Sequence, residues 1–168
     1  MHHFIVGSPG VGKSTLVRRL IEERHIPVFG FITRKEQDEW DPVLGNSIYI
    51  YPAAGPFIRS GENLVGHCKD RRPVVYKEAF DRFASCLWKP IPKGAVILMD
   101  EIGFMEASST AFCKAIFHLL DGDIPVLAAV KDKNTPFLQS VRNHPKATCY
   151  YLTENNREAL FRQISTHF

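Results

Sequence analysis

The sequence predicts an α/β domain, a mostly parallel sheet with helices on both faces in a three-layer arrangement, extended by a β-hairpin insertion. Three observations predict it. Short apolar runs, Phe4-Ile5-Val6, Ala95 to Met99 and Ile124 to Val130, read as strands buried on both faces, as parallel strands are. Segments with apolar residues three and four apart alternate with them, the order that covers a parallel sheet with helices. The 168 residues, 45% of them hydrophobic, suffice for one substantial core, so a single domain over 1–168 is expected.

Each element follows in order. The strand 4–6 leads through a glycine-rich loop into a helix from Lys13 to Arg24, where Leu16/Val17 and Leu20/Ile21 share one face and Arg18, Arg19, Glu22 and Glu23 the other. Val28 to Thr33 is strand-like, and Ser47 to Tyr51 alternates as its hairpin partner. The polar stretch 37–46 between them reads as turn chemistry. Residues 52–73, rich in Gly, Pro and polar side chains, read as an irregular, partly mobile insertion. Ala79/Phe80, Phe83/Ala84 and Leu87/Trp88 recur every four residues and predict a helix closed by Lys89-Pro90. A further helix is expected from Ser108, a strand over 124–130, a short helix over 136–142 and a strand over 147–152. Asn155 with Glu158 offers a capping box for a last helix, whose buried side carries Leu160, Ile164 and Phe168.

Composition narrows the function. The net charge is +3, but Lys and Arg are spread along the chain, so no nucleic-acid partner is expected. No apolar run approaches the roughly 18 residues of a membrane span and no secretory leader is recognisable, so a cytoplasmic protein is expected. Cys68, Cys86, Cys113 and Cys149 have no metal-ligand spacing and read as free thiols, and His2-His3 as the exposed start of the first strand.

The chemistry concentrates in two stretches. Gly7-Ser8-Pro9-Gly10-Val11-Gly12-Lys13-Ser14-Thr15 fits G-x-x-x-x-G-K-[ST], the Walker A loop, whose glycines let successive N–H groups turn inward around phosphate oxygens. Lys13 carries a charge to the β- and γ-phosphates, and Ser14 offers a hydroxyl to Mg²⁺ on the first turn of a helix whose unpaired amides face the anion. The second stretch, Ala95 to Glu101, is an apolar strand ending in acids, a Walker B strand. Asp100 is the second Mg²⁺ ligand, and Glu101 is placed to orient and deprotonate the attacking water.

These parts predict hydrolysis of nucleoside triphosphates, with Arg34 and Arg157 as candidates to neutralise transition-state charge. Two alternatives use the same loop. A kinase requires an acceptor pocket, for which the insertion supplies Arg59, Arg71 and Arg72. A nucleotide-gated switch is suggested by Asp100-Glu101-Ile102-Gly103, a D-x-x-G in which the Gly103 amide would sense the γ-phosphate. Against the switch, Phe104 stands where a water-orienting glutamine is expected, and Val130-Lys131-Asp132-Lys133 is only a distant likeness of a guanine-reading N-K-x-D.

Gly10 to Leu16, Gly30-Phe31-Ile32-Thr33, Val96 to Glu106, Pro125 to Ala128 and Thr153-Glu154-Asn155-Asn156-Arg157 together resemble the thermophile-type, or cancer-related, nucleoside-triphosphatase family. The most specific element is D-E-I-G-x-M-E, present from Asp100 to Glu106. The resemblance implies a RecA-like P-loop fold, with another strand between the Walker A and Walker B strands, and Mg²⁺-dependent hydrolysis of ATP and other triphosphates. One departure concerns Arg34 to Ile48, which lacks the arginine-glycine spacing usual in that family's hairpin.

Overall fold

The computed structural model describes residues 1–103 and 105–168. The chain runs β1 (His2–Gly7), α1 (Lys13–Glu22), β2 (Val28–Asp41), β3 (Gly45–Pro52), β4 (Leu64–Lys69), β5 (Arg72–Val75) and α2 (Lys77–Ala84), which tightens into a 3₁₀ turn. It continues through β6 (Val96–Ile102), a second 3₁₀ turn (Met105–Ser108), α3 (Thr110–Asp121), β7 (Val126–Lys131), α4 (Pro136–Arg142), β8 (Ala147–Tyr151) and α5 (Arg157–Ser165). One eight-stranded sheet has the order β5-β4-β3-β2-β6-β7-β1-β8. The contacts β2–β6, β6–β7, β7–β1 and β1–β8 are parallel, while β3, β4 and β5 add antiparallel strands at one side. As the resemblance implies, a strand, β7, separates β1 from β6.

Strand alternation divides the core between the faces. Phe4 and Val6 of β1, Ile97 and Met99 of β6 and Ala128 and Val130 of β7 pack in a cluster with Phe80 of α2, Phe112 and Ile116 of α3 and Leu138 of α4. The alternate residues Ile5, Leu98, Leu127 and Ala129 pack with Leu16, Val17 and Leu20 of α1 and Phe161 and Ile164 of α5. The face carrying α1 is therefore the face that Leu98, and two residues on Asp100, present to the phosphate loop.

Several expectations are corrected. β2 continues through the polar residues 37–41, because an antiparallel edge region needs an apolar side chain only on its covered face; the turn shrinks to residues 42–44. The stretch 52–73 is not wholly irregular, since β4 and the first half of β5 fall inside it and pair antiparallel. His2 and His3 are buried rather than exposed. His2 Nδ1 accepts from the Val126 N–H at 3.1 Å, which leaves Nε2 to donate to the Leu120 carbonyl at 2.7 Å. His3 Nδ1 lies 3.0 Å from the Tyr150 hydroxyl, and burial lowers its pKa to about 4. The last helix begins at Arg157 after Asn156, not Asn155, and Asn156 accepts from the Thr153 N–H instead of forming the capping box.

Gly30 shows how closely β2 and β6 approach. It has φ +120°, and a Cβ there would stand 2.1 Å from the Leu98 carbonyl oxygen. Gly30→Ala is expected to cost about 2–4 kcal/mol in urea unfolding, whereas Gly61→Ala, with nothing near its Cβ, stays within about 0.5 kcal/mol of the parent. A Gly30 variant matching the Gly61 control would show that the strands can separate there without cost.

Candidate active site

The site is built where β1, β7 and β6 end beneath the start of α1. Gly10 and Gly12 hold φ values of +77° and +104°, which open the loop after β1, and Gly12 serves as the N-cap of α1 with no side chain capping the helix. The first turn of α1 carries no acidic residue. Its amides and dipole are thus directed at whatever anion occupies the loop.

Lys13 is buried, and its ammonium donates to the Gly7 and Ser8 carbonyls, both at 3.0 Å. It also stands 3.8 Å from a Glu101 carboxylate oxygen. Burial lowers its pKa, with the Glu101 charge opposing. Ser14 Oγ donates to Asp100 Oδ1 at 2.6 Å, so the helix start and the β6 carboxylate, 86 residues apart in sequence, meet directly. Asp100 is nine-tenths shielded, and burial raises its pKa against the effect of the Ser14 hydrogen bond. A buried carboxylate beside a hydroxyl, both hard oxygen donors, is what a Mg²⁺ ion bound through one carboxylate requires, and a cation there would relieve the desolvation that raises Asp100.

The predicted arginines go to different places. Arg157 donates from Nη2 to the Val11 carbonyl at 3.0 Å, and a Cβ on Gly12 would lie 2.7 Å from that nitrogen, so Arg157 lies along the backbone of the phosphate loop. Arg34 sits over the rings of Tyr51 and Phe57, at 5.6 and 5.4 Å, near enough to Asp100 to bias its titration. Arg59 is held by Glu36 at 2.7 Å and Asp38 at 3.0 Å and does not open toward an acceptor. Arg71 and Arg72 lie at the turn between β4 and β5, on the side of the sheet remote from β1.

Gly103 requires a correction. Its N–H donates to Glu106 Oε2 at 2.9 Å rather than standing open to phosphate, while Phe104 lies outside the described residues. Glu106 is the residue whose part the sequence reading missed. Although quoted within D-E-I-G-x-M-E, it had no assigned chemistry, since nothing local reveals that the 3₁₀ turn carries it into the interior. There burial raises its pKa to about 7, with the Gly103 amide and Lys131 opposing and Glu101 adding to the rise.

This sets the sign of a pH effect. Between the ordinary 4.5 and about 7 the folded protein holds a proton on Glu106 that the unfolded chain has released. Stability from this group is therefore fully present below 4.5 and is lost as pH rises through about 7, by about 3 kcal/mol. Glu106→Gln keeps an acceptor for Gly103 and removes the titration. The stability difference between variant and parent, from urea unfolding without nucleotide, is expected to grow in favour of the variant across that interval. A constant difference would show that Glu106 titrates alike in both states.

The chain is similar to known proteins over nearly its whole length. A family model described as NTPase matches residues 2–165. The nucleoside-triphosphatase THEP1 of Pyrococcus abyssi is 33% identical, over 98% of this chain and 90% of its own. A cancer-related nucleoside-triphosphatase homolog of Mus musculus is 30% identical, over 97% and 94%. The crystal structure of THEP1 from Aquifex aeolicus shares the fold with a TM-score of 0.73 at 24% identity, over 98% of this chain and 96% of that one.

Proposed function

The chain belongs to the NTPase family and is a nucleoside-triphosphatase, and we propose that it hydrolyses ATP and other nucleoside triphosphates with Mg²⁺ held by Ser14 and Asp100 and with Glu101 as the base. The observation that carries the assignment is the 2.6 Å contact of Ser14 with Asp100 beside the Lys13–Glu101 pair. It brings an anion-binding helix start, a buried cation and two acids to one point.

Residue by residue, the loop amides and Lys13 bind and align the triphosphate, Lys13 exchanging the Gly7 and Ser8 carbonyls for phosphate oxygens. When bound, Mg²⁺ supplies charge neutralisation to the phosphate oxygens. Glu101, partly open to solvent beside the buried Asp100, orients a water and accepts its proton. The water oxygen then forms a bond to the γ-phosphorus as the bond to the β-phosphate bridging oxygen breaks, and the leaving diphosphate keeps that electron pair. The loop backbone, braced by Arg157 on Val11, keeps its shape through the step. We propose a cytoplasmic setting, where such triphosphates are abundant.

Glu101→Gln retains the shape of the site and removes the base. It is expected to lower phosphate release by about 10²–10⁴-fold with triphosphate affinity preserved. Lys13→Ala is expected to weaken triphosphate binding itself, read by titration calorimetry with each of ATP, GTP, CTP and UTP. Undiminished hydrolysis by the Glu101 variant would refute its role as base.

A further inference from the structure

We propose that the recess beneath the far ends of α1 and α5 is a second ligand site, one that takes a flat, uncharged ring lactam. The proposal goes beyond hydrolysis and concerns the opposite end of the sheet. β1 runs from this recess to the phosphate loop, so His3 and Gly7, four residues apart on one strand, stand about 13 Å from each other.

The recess forms where β1, β6 and β7 begin and where the chain leaves α1 and α5. His3 and Val96 are its buried floor, and Ile26, Pro125, His167 and Phe168 stand around them. The Arg24 guanidinium donates to the carbonyls of Ser165 and Phe168, which ties the end of α5 to the end of α1 and keeps the walls together. The volume is about 520 Å³, within the range of small-molecule sites.

His3 supplies the polar group that a built site needs. It is 3% exposed, and its Nδ1 is paired with the Tyr150 hydroxyl at 3.0 Å. Nε2 has no hydrogen-bond partner among the described residues, yet it is not sealed from water as the Thr33 hydroxyl is, so that edge of the ring opens on the recess. A buried polar edge left without a partner costs free energy, which a ligand recovers by bonding to it.

The walls select the ligand. Tyr150 and His167 lie nearly parallel to the His3 ring, at 5.7 and 5.9 Å between centroids, and Phe168 leans against it at 5.2 Å. A flat ring extends such a surface by offset stacking. Among the described residues no Asp, Glu, Lys or Arg side chain lines the recess, so a charged ligand would lose its water without gaining a side-chain counter-charge. Burial keeps His3 itself neutral at physiological pH. A neutral imidazole edge donates in one tautomer and accepts in the other, and a lactam, with N–H and C=O side by side, meets either.

The test titrates carbostyril, a flat uncharged ring lactam, into protein with isotope-labelled histidines, saturated with ADP and Mg²⁺ so that the phosphate loop is occupied. The nuclear magnetic resonance signals of the His3 imidazole nitrogens are expected to move with a Kd of about 1 mM or below, and those of His118 to stay. His3→Phe keeps a flat ring and removes the hydrogen-bonding edge, and it should weaken binding about tenfold, read by calorimetry. Ile26→Trp fills the recess from its partly exposed rim and should abolish binding while ADP affinity stays at the parent value. His3 signals unmoved at about 5 mM carbostyril, or binding undiminished in Ile26→Trp, would overturn the site. Tighter binding of quinaldate, a flat carboxylate of similar size, would overturn the uncharged class of ligand.

Discussion

The structure depends on the cost of holding acids out of water at one end of its sheet. Asp100 and Glu106 are both buried and both raised by burial, and Lys13 is lowered for the same reason. Such a cluster persists only when each group finds a partner: Ser14 for Asp100, the Gly103 amide for Glu106, the Gly7 and Ser8 carbonyls for Lys13. In the proposed reaction the contacts of Asp100 and Lys13 give way to the cation and the triphosphate, while the Gly103–Glu106 bond stays, so binding does not have to assemble a site. Preorganisation of this kind is the largest single source of catalysis in charge-developing reactions.

Strand order turns that cluster into a crevice. With β7 inserted, the Walker A and Walker B strands stand apart by the width of a strand, and the space above β7 is left for phosphate. Sheet neighbours lie roughly 4.8 Å apart, so the two outer strands leave nearly 10 Å, enough for a phosphoryl group with its nucleophile. Alternation then sends Asp100 toward the crevice from β6, while Phe4, Met99 and Val130 anchor the same strands to α2, α3 and α4 below. Catalytic and core residues alternate along the same strands, which fixes the site as firmly as the core.

Much of this was legible in the chain because its signals are local. The loop 7–15, the apolar strand before Asp100 and the helices after Lys13 and Thr135 are each specified within a dozen residues. What escaped depends on residues far apart. His2 is buried because Leu120 and Val126 satisfy it, and His3 because Tyr150 does. The extension of β2 and the pair β4 and β5 escaped for another reason. Their half-exposed strands carry polar side chains on the open face, which in sequence look the same as loop. Arg34 and Arg157 were candidates by residue type and position, and their ring and backbone contacts belong to the tertiary fold alone.

The D-x-x-G likeness shows how a shared short pattern can carry different physics. In a nucleotide-gated switch the glycine amide is left for the γ-phosphate, and its capture or release moves the following segment. Here the amide of Gly103 already has the Glu106 carboxyl as its partner three residues on, inside the protein and shielded from water. Breaking that bond would take a backbone donor from Glu106 in a low-dielectric setting, a cost of about 1–3 kcal/mol. A γ-phosphate would have to supply that energy before it gained anything from the amide. A chain built this way gains more by meeting the phosphate with side-chain cations than by surrendering a buried hydrogen bond, and that favours turnover at a fixed site over a conformational readout.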